Sequence, residues 1–178
     1  MKVAVVIGHH EKSKGAYSKY FGLNEWDFYR KVDLCLVGVD TFFHNPNISG
    51  YNTRIKDTAN RINKGNYDLV IEMHFNSFKD SSANGCETLY FYKSNKAKEY
   101  ALKFSNAISN ATGIKLRNGG LKALANTKDR GFASVYYTDA PTILIEPFFG
   151  SSNEDCKKIK SPENLANIIN DYLTEIKN

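Results

Sequence analysis

The 178-residue sequence is 42% hydrophobic and 24% charged, the balance of a soluble folded domain rather than a disordered or fibrous chain, and its length suits one domain with a full core while being short for two. Twenty-four Lys and Arg against 19 Asp and Glu give a formal net charge of +5, a mild attraction toward polyanions such as an anionic cell wall, a membrane surface or nucleic acid; the lysines are scattered, and no basic, RRM-like or zinc-finger motif supports nucleic acid. Three cysteines, Cys35, Cys86 and Cys156, with no CxxC pair exclude a cysteine-based zinc site and an obvious disulfide framework, and an odd count suits a reducing site of synthesis.

Val3-Ala4-Val5-Val6-Ile7 is uniformly apolar, as expected of a strand covered on both faces in a parallel sheet. It is far shorter than the apolar core of a signal peptide and leads straight into Gly8-His9-His10, so it reads as a first strand of a chain made in the cytoplasm without a signal peptide. Nothing approaches the ~20 apolar residues of a membrane span, and neither a membrane nor a nucleic-acid partner is expected. Glu11 to Gly22 reads as a polar loop. Asn24 can then cap a helix, with Glu25 and Asp27 in the first turn near the positive end of its dipole and Trp26, Tyr29, Val32 and Leu36 as an apolar stripe. Val39 to Phe43 favours a second strand, closed by His44-Asn45-Pro46-Asn47. Tyr51 to Lys64 is helical, with Ile55, Ala59 and Ile62 on one face and Gly65 at its end.

Leu69-Val70-Ile71 follows the turn signal Gly65-Asn66 and reads as a central strand that stops on His74. Phe78 to Gly85 is a polar loop and Cys86 to Tyr92 a strand. Ala97, Tyr100, Ala101, Phe104, Ile108 and Ala111 repeat at helical spacing up to Gly113. Gly119-Gly120 and the segment to Thr138 read as a short strand and a long loop or helical turn. Thr142-Ile143-Leu144-Ile145 is another apolar run, ending on Glu146. Asn153-Glu154-Asp155 can cap a short helix, and Ser161-Pro162-Glu163 starts a last one, with Leu165, Ile168, Ile169, Tyr172, Leu173 and Ile176 packing inward. Strands alternating with helices predict an α/β fold, a single three-layer domain with a mostly parallel twisted sheet and helices on both faces.

If the three apolar strands lie parallel in one sheet, Gly8-His9, His74 and Glu146 meet at its carboxyl edge, where open α/β sheets bind ligands. Glu25 opens the helix after the first loop. Two histidines and a carboxylate match the His₂Glu ligand set of a catalytic zinc, and Glu146 is then free to act on a water. Plainer readings stand beside this one. His10 and His44 read as surface or hydrogen-bonded histidines, Glu25 taken alone is a good first-turn residue, and Glu72, inside its strand, is a structural residue or a partner that supports a ligand from behind. Glu146 is harder to set aside: between Ile143-Leu144-Ile145 and Pro147-Phe148-Phe149 its charge is costly unless paired or near a cation.

These segments resemble the zinc-dependent N-acetylmuramoyl-L-alanine amidases of phage endolysins and bacterial autolysins over nearly the whole chain. Val6-Ile7-Gly8-His9 resembles the family's strand-Gly-His opening, and Lys14-Gly15-Ala16 the Gly-Ala after its first loop. Asn24-Glu25-Trp26 resembles the start of its first helix, and Met73-His74-Phe75-Asn76-Ser77 its His-x-Asn-Ala/Ser segment. Gly85-Cys86-Glu87 resembles its Gly-x-Glu strand, and Pro141 to Phe149, with Asn153, the block carrying its catalytic glutamate. Gly8-His9-His10 departs from the usual Gly-His-Gly, with the residue after Gly8 the better match to the ligand. Arg117 to Asp139 aligns loosely and supplies no site residue.

The resemblance implies an amidase catalytic domain over residues 1–178, of phage endolysin type, with Zn²⁺ on His9, Glu25 and His74 and with Glu146 catalytic. Its substrate would be bacterial peptidoglycan, cut between the lactyl group of N-acetylmuramic acid and L-alanine of the stem peptide, at the cell wall. Asn76 is a candidate for orienting the loop or the substrate. A carboxypeptidase-like zinc hydrolase, a wall-binding module without catalysis and, third, a nucleic-acid binder are the alternative readings.

Overall fold

A computed structural model describes residues 1–177; residue 178, the last of the expected domain, lies outside the described residues. In chain order the elements are β1 (Val3–Ile7), β2 (Tyr17–Ser18), β3 (Leu23–Asn24), α1 (Glu25–Asp33), β4 (Asp40–Phe43), α2 (Tyr51–Ile62) with a 3₁₀ turn after it, and β5 (Leu69–Met73). There follow β6 (Cys86–Phe91), α3 (Asn95–Thr112), β7 (Leu116–Leu124), α4 (Phe132–Tyr136), β8 (Thr142–Glu146), α5 (Asn153–Ile159) and α6 (Pro162–Lys177).

Six strands form one sheet in the order β4-β1-β5-β8-β6-β7. β4, β1, β5 and β8 run parallel, β6 pairs antiparallel with β8, and β7 pairs parallel with β6. Alternate side chains divide the core between two faces, as a period of two requires. Val3, Val5, Ile7, Leu69, Ile71, Met73, Ile143 and Ile145 join Phe28 and Val32 of α1, Phe104 and Ile108 of α3 and Leu165, Ile169 and Leu173 of α6. On the other face Ala4, Val6 and Val70 meet Ile62 of α2, and Leu89 and Leu144 meet Phe132 and Val135 of α4. Cover on both faces explains why the strands are continuously apolar, and the three-layer α/β architecture with a mostly parallel sheet is the one expected. Among the described residues no helix is long and apolar enough to cross a membrane. All three cysteines are free.

Several local readings need correction. The loop after β1 contains a short antiparallel ribbon, Tyr17 opposite Asn24 and Ser18 opposite Leu23. α1 buries Glu25, Phe28, Tyr29 and Val32 rather than the stripe through Trp26 and Leu36. Phe28 is drawn in by an aromatic cluster with Phe21, Phe75 and Phe148, whereas Trp26 meets Phe43 at the helix flank and Leu36 lies beyond the helix end. Ala111 is exposed. The strand at Gly119-Gly120 is not short: the pair sits inside the nine-residue β7, where Asn118, Gly119 and Gly120 all have positive φ and the register against β6 shifts.

The cap of α5 is Ser152 rather than Asn153, its hydroxyl accepting the Asp155 amide at 3.3 Å. Ser152→Ala should therefore cost about 1 kcal/mol, read as a melting temperature lower by about 2–4 °C in calorimetry with activity intact.

Candidate active site

The register of the sheet places the chemistry. Ile7 lies beside Met73 and Met73 beside Ile145, so the residues that follow these three positions leave the carboxyl edge side by side. The Gly8 amide donates to the Met73 carbonyl and the His74 amide to the Ile145 carbonyl, each at 3.1 Å. His9 has φ 66°, a left-handed turn uncommon for a residue with a Cβ and typical of functional positions. Two glycines leave room for the rings. A Cβ on Gly8 would overlap the His74 imidazole, and one on Gly15 would lie 2.5 Å from Cδ2 of His9 and 2.9 Å from Oε1 of Glu25.

Glu25 reaches the site because the first loop is fastened to the start of α1. The amides of Glu25 and Trp26 donate to the carbonyls of Ala16 and Lys14 at 2.9 and 3.0 Å, and the Ala16 amide donates to Oε1 of Glu25 at 3.0 Å. From the same helix the Tyr29 hydroxyl donates to the His74 carbonyl, tying α1 to the end of β5.

Ligand atoms of His9, Glu25 and His74 lie within 4.8 Å of one another. Nε2 of His9 is 3.3 Å from Oε1 of Glu25 and Nδ1 of His74 is 3.1 Å from Oε2, with the two rings edge to face at 4.9 Å. Burial opposes the Glu25 charge, yet the hydrogen bond of His74 and the close approach of His9 outweigh it and hold the carboxyl well below its usual range. The donor set fits a divalent metal of the zinc type: Nε2 of His9 is buried, has only the 3.3 Å approach to the Glu25 carboxylate and makes no well-formed hydrogen bond, and in this cluster, unlike at the similarly unpartnered Nδ1 of His10 and Nε2 of His44, two further ligand atoms lie close enough to share an ion with it. His10, the other imidazole of the pair, is buried in a tight backbone bridge with Ser13 and stays outside the cluster. His44 is buried with Nδ1 on the Thr58 hydroxyl at 2.9 Å.

Glu72 does more than fill the strand. Its Oε1 is 3.0 Å from Nε2 of His74 and accepts the Ser134 hydroxyl at 2.9 Å. The carboxylate thus takes one ring nitrogen of His74 and leaves Nδ1 facing Glu25, the arrangement in which a supporting carboxylate orients a metal-binding imidazole.

Glu146 ends β8 and lines a cleft of about 330 Å³ with His9 and His74. Burial first, and then the like charge of Glu87, raise its carboxyl above the ordinary range against the pull of His74. Glu87 stands opposite it on β6. Nδ2 of Asn76 lies between the two carboxylates, donating to Oε2 of Glu146 at 2.8 Å and to Oε1 of Glu87 at 3.3 Å. The Arg117 guanidinium is 3.7 Å from Oε1 of Glu87.

A family model described as N-acetylmuramoyl-L-alanine amidase matches residues 3–178. The chain belongs to this family. Among curated proteins it is 28% identical over 185 residues to an uncharacterised Clostridium perfringens protein, covering 98% of this chain and 52% of that one. It is also 28% identical over 162 residues to the N-acetylmuramoyl-L-alanine amidase LytC of Bacillus subtilis, covering 86% of this chain and 30% of LytC. The chain therefore spans about half or less of the length of these relatives.

Among solved structures, the catalytic domain of an endolysin targeting Clostridium difficile superposes with a TM-score of 0.78 at 24% identity, over 98% of this chain and 97% of that one. An N-acetylmuramoyl-L-alanine amidase from Clostridium difficile 630 gives 0.76 at 24%, over 98% and 95%. These likenesses show that the amidase-family fold is shared.

Two parts of this amidase-family site escaped the sequence reading. The Asn76 bridge joins residues 11 and 70 positions away, and only the Gly-x-Glu resemblance hinted at Glu87. The loop from Thr127 to Gly131 forms a wall of the cleft, although it lies in the segment that aligned loosely and had no periodic signal.

Proposed function

We propose that residues 1–178 are the catalytic domain of a zinc-dependent N-acetylmuramoyl-L-alanine amidase of endolysin type. It would hydrolyse the amide between the lactyl group of N-acetylmuramic acid and L-alanine of the stem peptide in bacterial peptidoglycan. The observation that carries the reading is the convergence of His9, Glu25 and His74, whose ligand atoms lie within 4.8 Å of one another. Nε2 of His9, Nδ1 of His74 and the Glu25 carboxylate would hold the ion.

The chemistry a bound zinc supplies is Lewis acidity, toward the scissile carbonyl and toward a water whose pKa it lowers to ~7. Glu146 would receive the proton of that water and return it to the departing alanine amine, a role suited to a carboxyl whose affinity for protons burial has raised. Asn76 keeps Glu146 oriented through its amide. The net charge of +5 favours residence at an anionic wall.

The test is metal analysis of the purified chain combined with product analysis on purified peptidoglycan. One zinc per chain, with new alanine amino termini and an intact glycan, is the expected result. Release of a C-terminal amino acid would move the chain to the peptidase class, and wall binding without any cleavage by the zinc-loaded protein would leave only a binding module.

A further inference from the structure

The wall that the loop after β7 contributes to the cleft is cationic. Lys128 and Arg130 line the cleft together with His9, His74 and Glu146, and both are exposed. Asp129, the loop's own carboxylate, is occupied elsewhere: its Oδ2 accepts the Ala125 and Asn126 amides at 2.8 and 3.0 Å. Oδ1 of Asn126 accepts the Lys128 amide at 2.9 Å, and the Phe132 amide donates to the Asp129 carbonyl at 3.0 Å. Phe132 then anchors the exit of the loop among Leu89, Leu124 and Leu144.

The turn is therefore fixed at both ends. Among the described residues, neither Lys128 nor Arg130 forms an ion pair. Tyr51 and Asn52, which also line the cleft, belong to the first turn of α2, which holds no acidic residue. Two cations without a direct ion pair, Arg130 near enough for its charge to act on the Glu146 carboxyl, are held on a bonded turn next to the reacting groups and form an anion-reading surface.

The chemistry of the substrate says which anion. This step rests on the amidase reading. In a muramyl peptide the N-acetylated sugars carry no charge, and the lactyl carboxyl is consumed in the scissile amide. Anionic groups therefore lie only on the peptide side, beginning with the residue after alanine, whose carboxyl is either free or amidated. We propose that Lys128 and Arg130 bind the carboxylate of the stem-peptide residue that follows alanine, and that the chain consequently prefers free-carboxylate stems to amidated ones.

The experiment uses two soluble muramyl peptides that differ only in a carboxylate or a carboxamide on the residue after alanine. Each is assayed for kcat and KM with zinc-loaded protein and, in parallel, for affinity by calorimetry. Wild type should favour the carboxylate on the order of tenfold in KM and in affinity with kcat unchanged, and salt should erode the preference. The double variant Lys128→Ala, Arg130→Ala should treat both peptides alike, Arg130→Lys should keep part of the preference, and melting temperatures should be unchanged because both side chains are exposed. Cleavage of the two peptides with equal KM by wild type overturns the subsite and leaves the amidase reading standing. Preferential binding without cleavage of either overturns the amidase reading and leaves the subsite, and neither binding preference nor cleavage removes both.

Discussion

Glu146→Gln should lower kcat for peptidoglycan hydrolysis by on the order of 10²–10⁴-fold, the usual contribution of a positioned general base, while zinc content and melting temperature stay at wild-type values. The glutamine is close to isosteric, and its amide oxygen can still accept from Nδ2 of Asn76, which now donates to Oε2 at 2.8 Å. What is lost is a group able to take a proton. Glu146 lies outside the cluster formed by His9, Glu25 and His74, so removing its charge should not disturb ion binding. It also relieves the repulsion of the half-buried Glu146 charge by the buried Glu87, which stands opposite on the neighbouring strand, so the variant has no reason to be less stable. Turnover numbers with saturating substrate, measured beside metal content and calorimetry, check the expectation. A variant that turns over at the wild-type rate would remove Glu146 from the chemistry.

The parts of this molecule that could be read from sequence are those where one physical constraint acts on consecutive residues. Val3 to Ile7, Leu69 to Ile71 and Thr142 to Ile145 are apolar throughout because both faces of the sheet are covered, and that pattern located the strand ends at which His9, His74 and Glu146 stand. Strand direction is another matter. The alternation of β6 is the same whether its neighbour runs with it or against it, so its antiparallel pairing to β8 has no signature in the residues.

Contacts made across the fold were equally silent. Phe28 outranks Trp26 in burial because Phe21, Phe75 and Phe148 surround it, and none of these is within helical reach. Likewise Glu72 could be read as a structural residue, but its place at Nε2 of His74 depends on the rotamer of a side chain beyond the strand end. The loop from Thr127 to Gly131 is polar like any surface turn, and only its position against β8 makes it part of the site.

Stripping the metal should lower the melting temperature, and by more at alkaline than at acidic pH. With free zinc about 100-fold above its dissociation constant, binding to the folded state alone adds about 2.7 kcal/mol, which corresponds to roughly 5–10 °C for a domain of this size. The pH dependence follows from His74. Burial works against its charge, yet the hydrogen bonds to Glu25 and Glu72 raise its pKa to about 10. A histidine raised above its model value of 6.5 stabilises the metal-free fold fully below that value and loses this contribution as pH climbs toward about 10. Glu25 acts in the opposite sense: held below its model value of 4.5, it stabilises above that pH and ceases to as its carboxylate is protonated.

Between them the two groups favour the metal-free fold most at mildly acidic pH, where Nδ1 of His74 carries the proton that an incoming ion must displace. Each pH unit gained below the His74 pKa should then strengthen zinc binding by about tenfold. At fixed zinc, the gap in melting temperature between loaded and chelator-stripped protein should widen from about pH 6 to about pH 8. Calorimetry on the two forms across that range measures the gap. A gap that stays constant or narrows would show that no proton at this cluster is exchanged for the ion, so that His74 is either already neutral in the metal-free protein or not a ligand.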